Sequence, residues 1–214
     1  MTRPRLSREE HLSRWSELHG GYDPSSSHVL LGWLRCEYAA AAPLAARGIP
    51  AVLVTVMSVV LAGAAAGVAS SSAALAAVLV ILSAFADGLD GSVAVVSGTE
   101  SRLGALLDAI ADRLADALFA VALWRAGASA ELSIAAVSGS WLLEYARARA
   151  GGLGVDDIGQ VTLGDRPTRV IVCVFGLLLA QWIDVAADVA AVGLAVVAAL
   201  GTVQLLRIWR HQLR

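Results

Sequence analysis

The chain contains no lysine; its 16 basic residues are all arginine. Charge of either sign is scarce, at 16% of 214 residues, where soluble domains carry about 25%. With 57% hydrophobic residues and a mean hydropathy of +0.70, that deficit argues against a water-facing domain and for a polytopic membrane protein. There are two cysteines, Cys36 and Cys173, which give neither a disulfide framework nor zinc spacing; both are expected to be reduced. The first 28 residues lack the apolar core of a signal peptide, so insertion by the chain's own spans, without cleavage, is expected. The net charge of −2 says little about partners because the charges are segregated, and no nucleic-acid partner is expected.

What is present is a series of long apolar runs. Residues 1–28 carry Arg3, Arg5, Arg8 and Arg14 among Glu9, Glu10 and Glu17 and read as a short helix and a loop. Residues 28–47 mix apolar residues with Trp33, Arg35, Glu37 and Tyr38, the pattern of an amphipathic helix in the membrane interface. Pro43 and the mid-run charges disfavour a transmembrane helix there. Six spans follow, at about 50–69, 73–96, 103–125, 130–148, 168–183 and 187–206. The expected fold is therefore all-α, six transmembrane helices after an N-terminal interfacial helix. Its parts are a segment over 1–48 and a membrane domain over 49–214. With the N-terminus in the cytoplasm, Arg47, Arg102, Arg147, Arg149, Arg166, Arg169, Arg207, Arg210 and Arg214 fall at cytoplasmic ends, and Arg125 at an outer end, a positive-inside pattern.

Against that background four aspartates stand out. Asp87 and Asp90 lie late in the second span, Asp108 and Asp112 early in the third. Residues three or four apart share a helix face, and the short SGTES turn makes the two helices antiparallel neighbours. At about 1.5 Å per residue both pairs sit roughly 10–15 Å below the inner surface, so they can meet. Carboxylates inside a bilayer are costly and usually functional, and four facing one another require cations. Oxygen-only ligation suits Mg²⁺ or Mn²⁺, and two such ions nearly neutralise the four charges. Gly88, Gly91 and Gly104 flank the aspartates, where small residues permit close helix packing or leave room for a ligand.

The string DGLDGSVA, nine residues, then GALLDAIAD resembles the signature of the CDP-alcohol phosphatidyltransferase family, DxxDGxxAR, eight residues, GxxxDxxxD. The match falls on Asp87, Asp90, Gly91, Ala94, Gly104, Asp108 and Asp112. The resemblance implies that the aspartates hold two divalent ions, with Asp112 also the general base. It implies transfer of a phosphatidyl group from CDP-diacylglycerol to the hydroxyl of a polar alcohol, releasing CMP in phospholipid biosynthesis. It further implies that Gly91, Ala94 and Gly104 admit the cytidine group, that Ser101 donates to it, and that the protein is a homodimer in the cell membrane with a cytoplasmic active site. Two departures weaken the pattern: Val95 stands where the family has arginine, and Ala51 and Val54 replace polar residues at the start of the first span.

Arg147 and Arg149 close the fourth span and Arg166 and Arg169 open the fifth. They are either inner-surface anchors or a pocket for a phosphorylated alcohol, since arginine grips phosphate bidentately. YARARAGGLG and RPTR resemble actinobacterial members of the family and phosphatidylinositol-phosphate synthase relatives. Asp116 reads as a partner for Arg113 or a neighbouring helix rather than a fifth ligand, and Glu144 as an arginine partner. His11, His19, His28 and His211 are expected far from the metals, and Trp33, Trp141, Trp182 and Trp209 as interface anchors. A cation-binding transporter and an inactive family member remain the alternatives.

Overall fold

The computed structural model describes residues 6–18, 21–155 and 161–212, and among these the fold is all-α, with no strand. Eight helices run in order: α1 (Arg8–Leu18), α2 (His28–Ala46), α3 (Ala51–Val68), α4 (Ala73–Ser97), α5 (Arg102–Arg125), α6 (Ala130–Gly151), α7 (Arg166–Leu179) and α8 (Ala186–Trp209). Helices α3 to α8 take the places of the six expected spans. Arg3, Arg5, His19 and Arg214 lie outside the described residues.

Among the described residues, three helices are long and apolar enough to cross a bilayer: α3, α4 and α8. Their outward positions are apolar, as at Val56 and Val60 on α3, Val78 and Ile81 on α4, and Val196 and Leu200 on α8, all exposed. Water would make such a surface a liability; lipid makes it the expected one, and the protein is a multi-pass membrane protein. Helix α5 is 24 residues long and α6 is 22, but both carry several charges along their length. The fifth expected span, 168–183, instead starts at Arg166 and stops at Leu179, 14 residues long. Asp165 and a proline in the first turn start it early. It is capped at Ala180, whose N–H bonds to the carbonyls of Gly176 and Leu178.

The chain divides into two compact units, and three helices change unit part-way: unit 1 comprises 1–60 and 82–112, unit 2 comprises 61–81 and 113–214. In unit 1, Ser58 and Ser83 stitch α3 to α4, the Ser83 hydroxyl donating to the Ser58 carbonyl at 2.8 Å. Helix α2 buries Leu34, Glu37 and Ala41 on one face. Glu37 therefore points inward rather than to water.

Unit 2 is held by an alanine-rich core that includes Ala115, Ala122, Leu123, Leu177, Ala187 and Ala191. Helices can approach this closely only where side chains are small: at Gly176 a methyl group would collide with Ala190. Trp209, expected as an interface anchor, is instead 1% exposed and packs with Leu143, Ala150, Val155 and Leu205. Trp182 does stand exposed, at 79%.

Candidate metal centre

Helix α4 ends in a glycine stop. Gly98 has a φ of +62°; its N–H bonds to the Val95 carbonyl and that of Thr99 to the Ala94 carbonyl, the paired bonds of a Schellman motif. Three residues later Ser101 caps α5, its hydroxyl accepting from the Gly104 N–H at 3.0 Å. A methyl group at Gly104 would lie 3.1 Å from that oxygen, so this glycine also makes room for the cap. The turn is closed in the space of a few residues, which brings the signature faces of α4 and α5 together.

Asp87, Asp108 and Asp112 each present an oxygen to a common point, all within 4.8 Å of one another and all partly buried. Two charges at that separation repel by on the order of 3 kcal/mol at an effective dielectric of about 20. A hard divalent cation reverses the sign of that term, and an all-carboxylate donor set is the set such an ion prefers. The residues fit Mg²⁺ or Mn²⁺. Asp90 is not among the three. It is 5% exposed, accepts a hydrogen bond from the Thr55 hydroxyl, and feels the charges of Asp108 and Asp87.

An open cavity of about 1010 Å³ adjoins Asp90 and Asp108. Gly91, Ala94, Ser101 and Gly104 all line it, with Arg47, Ala51, Thr55 and Val95. At Gly91 a methyl group would meet nothing within 4 Å, so this glycine faces space rather than a packed neighbour.

Several residues of unit 1 escaped the sequence reading. Val54 is 8% exposed, and the hydroxyl that faces Asp90 comes from Thr55, one position on. The lone polar residue beside Val54 in an apolar run was the available signal. Arg47 lines the cavity and Arg102 does not, although both are exposed. His11, expected far from the site, is 1% exposed, and its Nε2 lies 3.2 Å from the Ser92 hydroxyl, two residues beyond Asp90. Burial pulls its pKa below the ordinary histidine value. Ser92 also donates to Glu37 at 3.2 Å. Burial pushes the Glu37 carboxyl up, against the pull of its hydrogen bonds from Trp33 and Ser92.

The four arginines at the facing ends of α6 and α7 have different surroundings. Arg169 is 3% exposed and donates to Asp116 at 3.2 Å, Glu144 at 3.1 Å and the Gly164 carbonyl at 2.7 Å. Asp116 thus has an arginine partner, on α7, and Glu144 also lies 3.6 Å from Arg113. Arg147 bonds to Asp165 and to Thr162. Arg149 is exposed and Arg166 partly buried.

Residues 47–204 match the CDP-alcohol phosphatidyltransferase family, and the chain belongs to it. Among curated relatives it is 35% identical over 95 residues to the archaetidylinositol phosphate synthase of Aeropyrum pernix, covering 44% of this chain and 49% of that one. It is 36% identical over 129 residues to the phosphatidylinositol phosphate synthase of Corynebacterium glutamicum, covering 56% and 58%. The chain thus spans about half the length of these relatives. In fold it is similar to the phosphatidylinositol phosphate synthase of Mycobacterium tuberculosis with CDP-DAG bound, with a TM-score of 0.70 and 26% identity, over 82% of this chain and 94% of that one. The same mycobacterial protein is known in complex with manganese and citrate.

Proposed function

We propose that the protein is a divalent-metal-dependent phosphotransferase that moves a phosphatidyl group from CDP-diacylglycerol to the hydroxyl of a polar alcohol and releases CMP. The observation that carries this reading is the convergence of Asp87, Asp108 and Asp112 beside a cavity that Gly91, Ala94, Ser101 and Gly104 line.

Asp87, Asp90, Asp108 and Asp112 would hold two ions, Mg²⁺ or Mn²⁺. When bound, these supply positive charge for the pyrophosphate and for the departing CMP. Gly91 and Ala94 keep the cavity wall low enough for the cytidine group. Ser101 spends its oxygen on the α5 cap and keeps its proton to donate. Arg47, on the same wall, fills the electrostatic role that Val95 gives up. Asp112 accepts the proton of the acceptor hydroxyl as that oxygen bonds to the β-phosphorus; the anhydride bond to the α-phosphate breaks, and its electron pair leaves with CMP. Most of the catalysis is then positioning and charge stabilisation.

For the acceptor we infer a phosphorylated polyol such as an inositol phosphate. Names of several relatives point that way, and so do the arginines at the ends of α6 and α7. Arg147, Arg149 and Arg166 suit phosphate contact; Arg169, enclosed by two carboxylates, suits bracing. We read six spans, α3 to α8, after an interfacial α2, with the N-terminus and the active site cytoplasmic. The small-residue helix faces would suit a homodimer.

Purified protein in lipid, given Mg²⁺, CDP-diacylglycerol and a panel of alcohols, is expected to release CMP with a phosphorylated polyol and to stop when Asp112 becomes Asn. Folded, metal-binding protein that releases no CMP with any acceptor would identify an inactive member of the family.

A further inference from the structure

Glu37 belongs to neither the signature nor the aspartate cluster, yet it is a carboxylate pressed against the helix that carries the signature. It is 4% exposed. Its Oε1 accepts from Trp33 Nε1 at 2.5 Å and its Oε2 from the Ser92 hydroxyl at 3.2 Å. Trp33 is itself fixed edge-on against Phe85 of α4, ring centres 5.4 Å apart. The seat of Glu37 is Gly88: a methyl group there would collide with Oε1 and come within 3.2 Å of the carboxyl carbon. Ser92 is gripped a second time by His11 from α1. Four contacts from α1 and α2 therefore fall on Phe85, Gly88 and Ser92, the stretch of α4 that contains Asp87 and Asp90.

We propose that Glu37 is a positioning residue for the metal centre. Seated on Gly88 and bonded to Ser92, it fixes the rotation of this turn of α4 and so sets how well Asp87 and Asp90 grip divalent ions. The inference rests on the metal-dependent reading above. Groups that orient metal ligands from behind typically change affinity or activity by about 10–100-fold when lost, and a packed carboxylate on a glycine leaves little freedom to compensate.

The test uses the full chain in lipid nanodiscs, with Mn²⁺ binding followed by the electron paramagnetic resonance of the free ion, alongside kcat and KM. Glu37→Ala and Gly88→Ala are each expected to weaken Mn²⁺ binding by about tenfold or more, with the KM for the alcohol unchanged. Glu37→Gln accepts from Trp33 and donates to the Ser92 hydroxyl, so it should restore most of the affinity. Trp33→Phe removes one donor and keeps the ring; it should give a smaller loss in the same direction, and it decides the matter if Glu37→Ala does not fold. Wild-type Mn²⁺ affinity in Gly88→Ala and Trp33→Phe would overturn the proposal. So would a Glu37→Gln variant as weak as Glu37→Ala, since charge rather than placement would then matter. A wild-type protein that binds no Mn²⁺ defeats the metal reading and this inference with it. Wild-type binding that is lost in Asp112→Asn but kept in Glu37→Ala defeats this inference alone.

Discussion

Both units of the molecule bury acidic side chains, and they complete them in opposite ways. In unit 2, Asp116 and Glu144 enclose the guanidinium of Arg169, and Asp165 meets Arg147. In unit 1, Asp87, Asp108 and Asp112 turn toward one another. An acid facing arginine suits a scaffold; partly buried acids that converge on one point suit a divalent cation. Residue type and burial alone do not separate the two cases. The convergence of three carboxylate oxygens does.

The sharpest way to break the comparison is to remove one acid from each unit. Asp112→Asn is expected to lower CMP release by about 10³-fold or more, since on the proposed mechanism it removes both a general base and a metal ligand. It should cost little stability in chelator, because it relieves repulsion. Mg²⁺ should raise the melting temperature of the wild type, by mass action on the folded state, and leave this variant unmoved. Equal stabilisation of both by Mg²⁺ would mean that the aspartates are not the ion's site.

Unit 2 should respond in the reverse sense. Arg169→Met takes that arginine from buried Asp116 and leaves Glu144 only its longer contact with Arg113, a change that typically destabilises by about 3–5 kcal/mol. Denaturation should show that loss with or without Mg²⁺, and residual activity should track the folded fraction. A stable Arg169→Met protein that has lost only its use of a phosphorylated acceptor would move Arg169 from brace to binding residue.

The two units also differ in how far they could be read in advance. Apolar run length locates α3 to α8 within a few residues, because long apolar runs at helical length leave few other places for the ends. The aspartate faces follow from helical spacing, and their meeting follows from a turn too short to do otherwise. Partners distant in the chain carry no such local mark. Nothing near Asp116 points to Arg169, 53 residues on, and nothing near Ser92 points to His11, 81 residues back. Leu34, Glu37 and Ala41 share a helix face by spacing, but a carboxylate reads as a water-facing group until a glycine is known to seat it.

A smaller effect probes the hydroxyl that holds Asp90. Thr55→Val keeps shape and removes the donor; a hydrogen bond to a charged group is worth about 1.5–3 kcal/mol, so kcat/KM should fall by about 10- to 150-fold at most. Thr55→Ser should recover it. Loss of stability without loss of kcat/KM would place Thr55 with the scaffold, on the side of the comparison where unit 2 stands.

The smallest expected effect is that of pH on the contact between α1 and α4. His11 is buried, with the Tyr38 ring 5.6 Å away, Ser92 at its Nε2 and Glu37 reached through Ser92. Burial lowers its pKa below the ordinary value of about 6.5, so the unfolded chain binds the proton more readily than the folded one. Stability from this group is complete above about pH 6.5 and declines as the pH falls toward the folded pKa. Melting temperatures measured from pH 7.5 down to 5 should therefore drop more steeply for the wild type than for His11→Gln, which has no proton to gain. Parallel curves would mean that His11 is already solvated, and that α1 does not hold the aspartate-bearing turn through it.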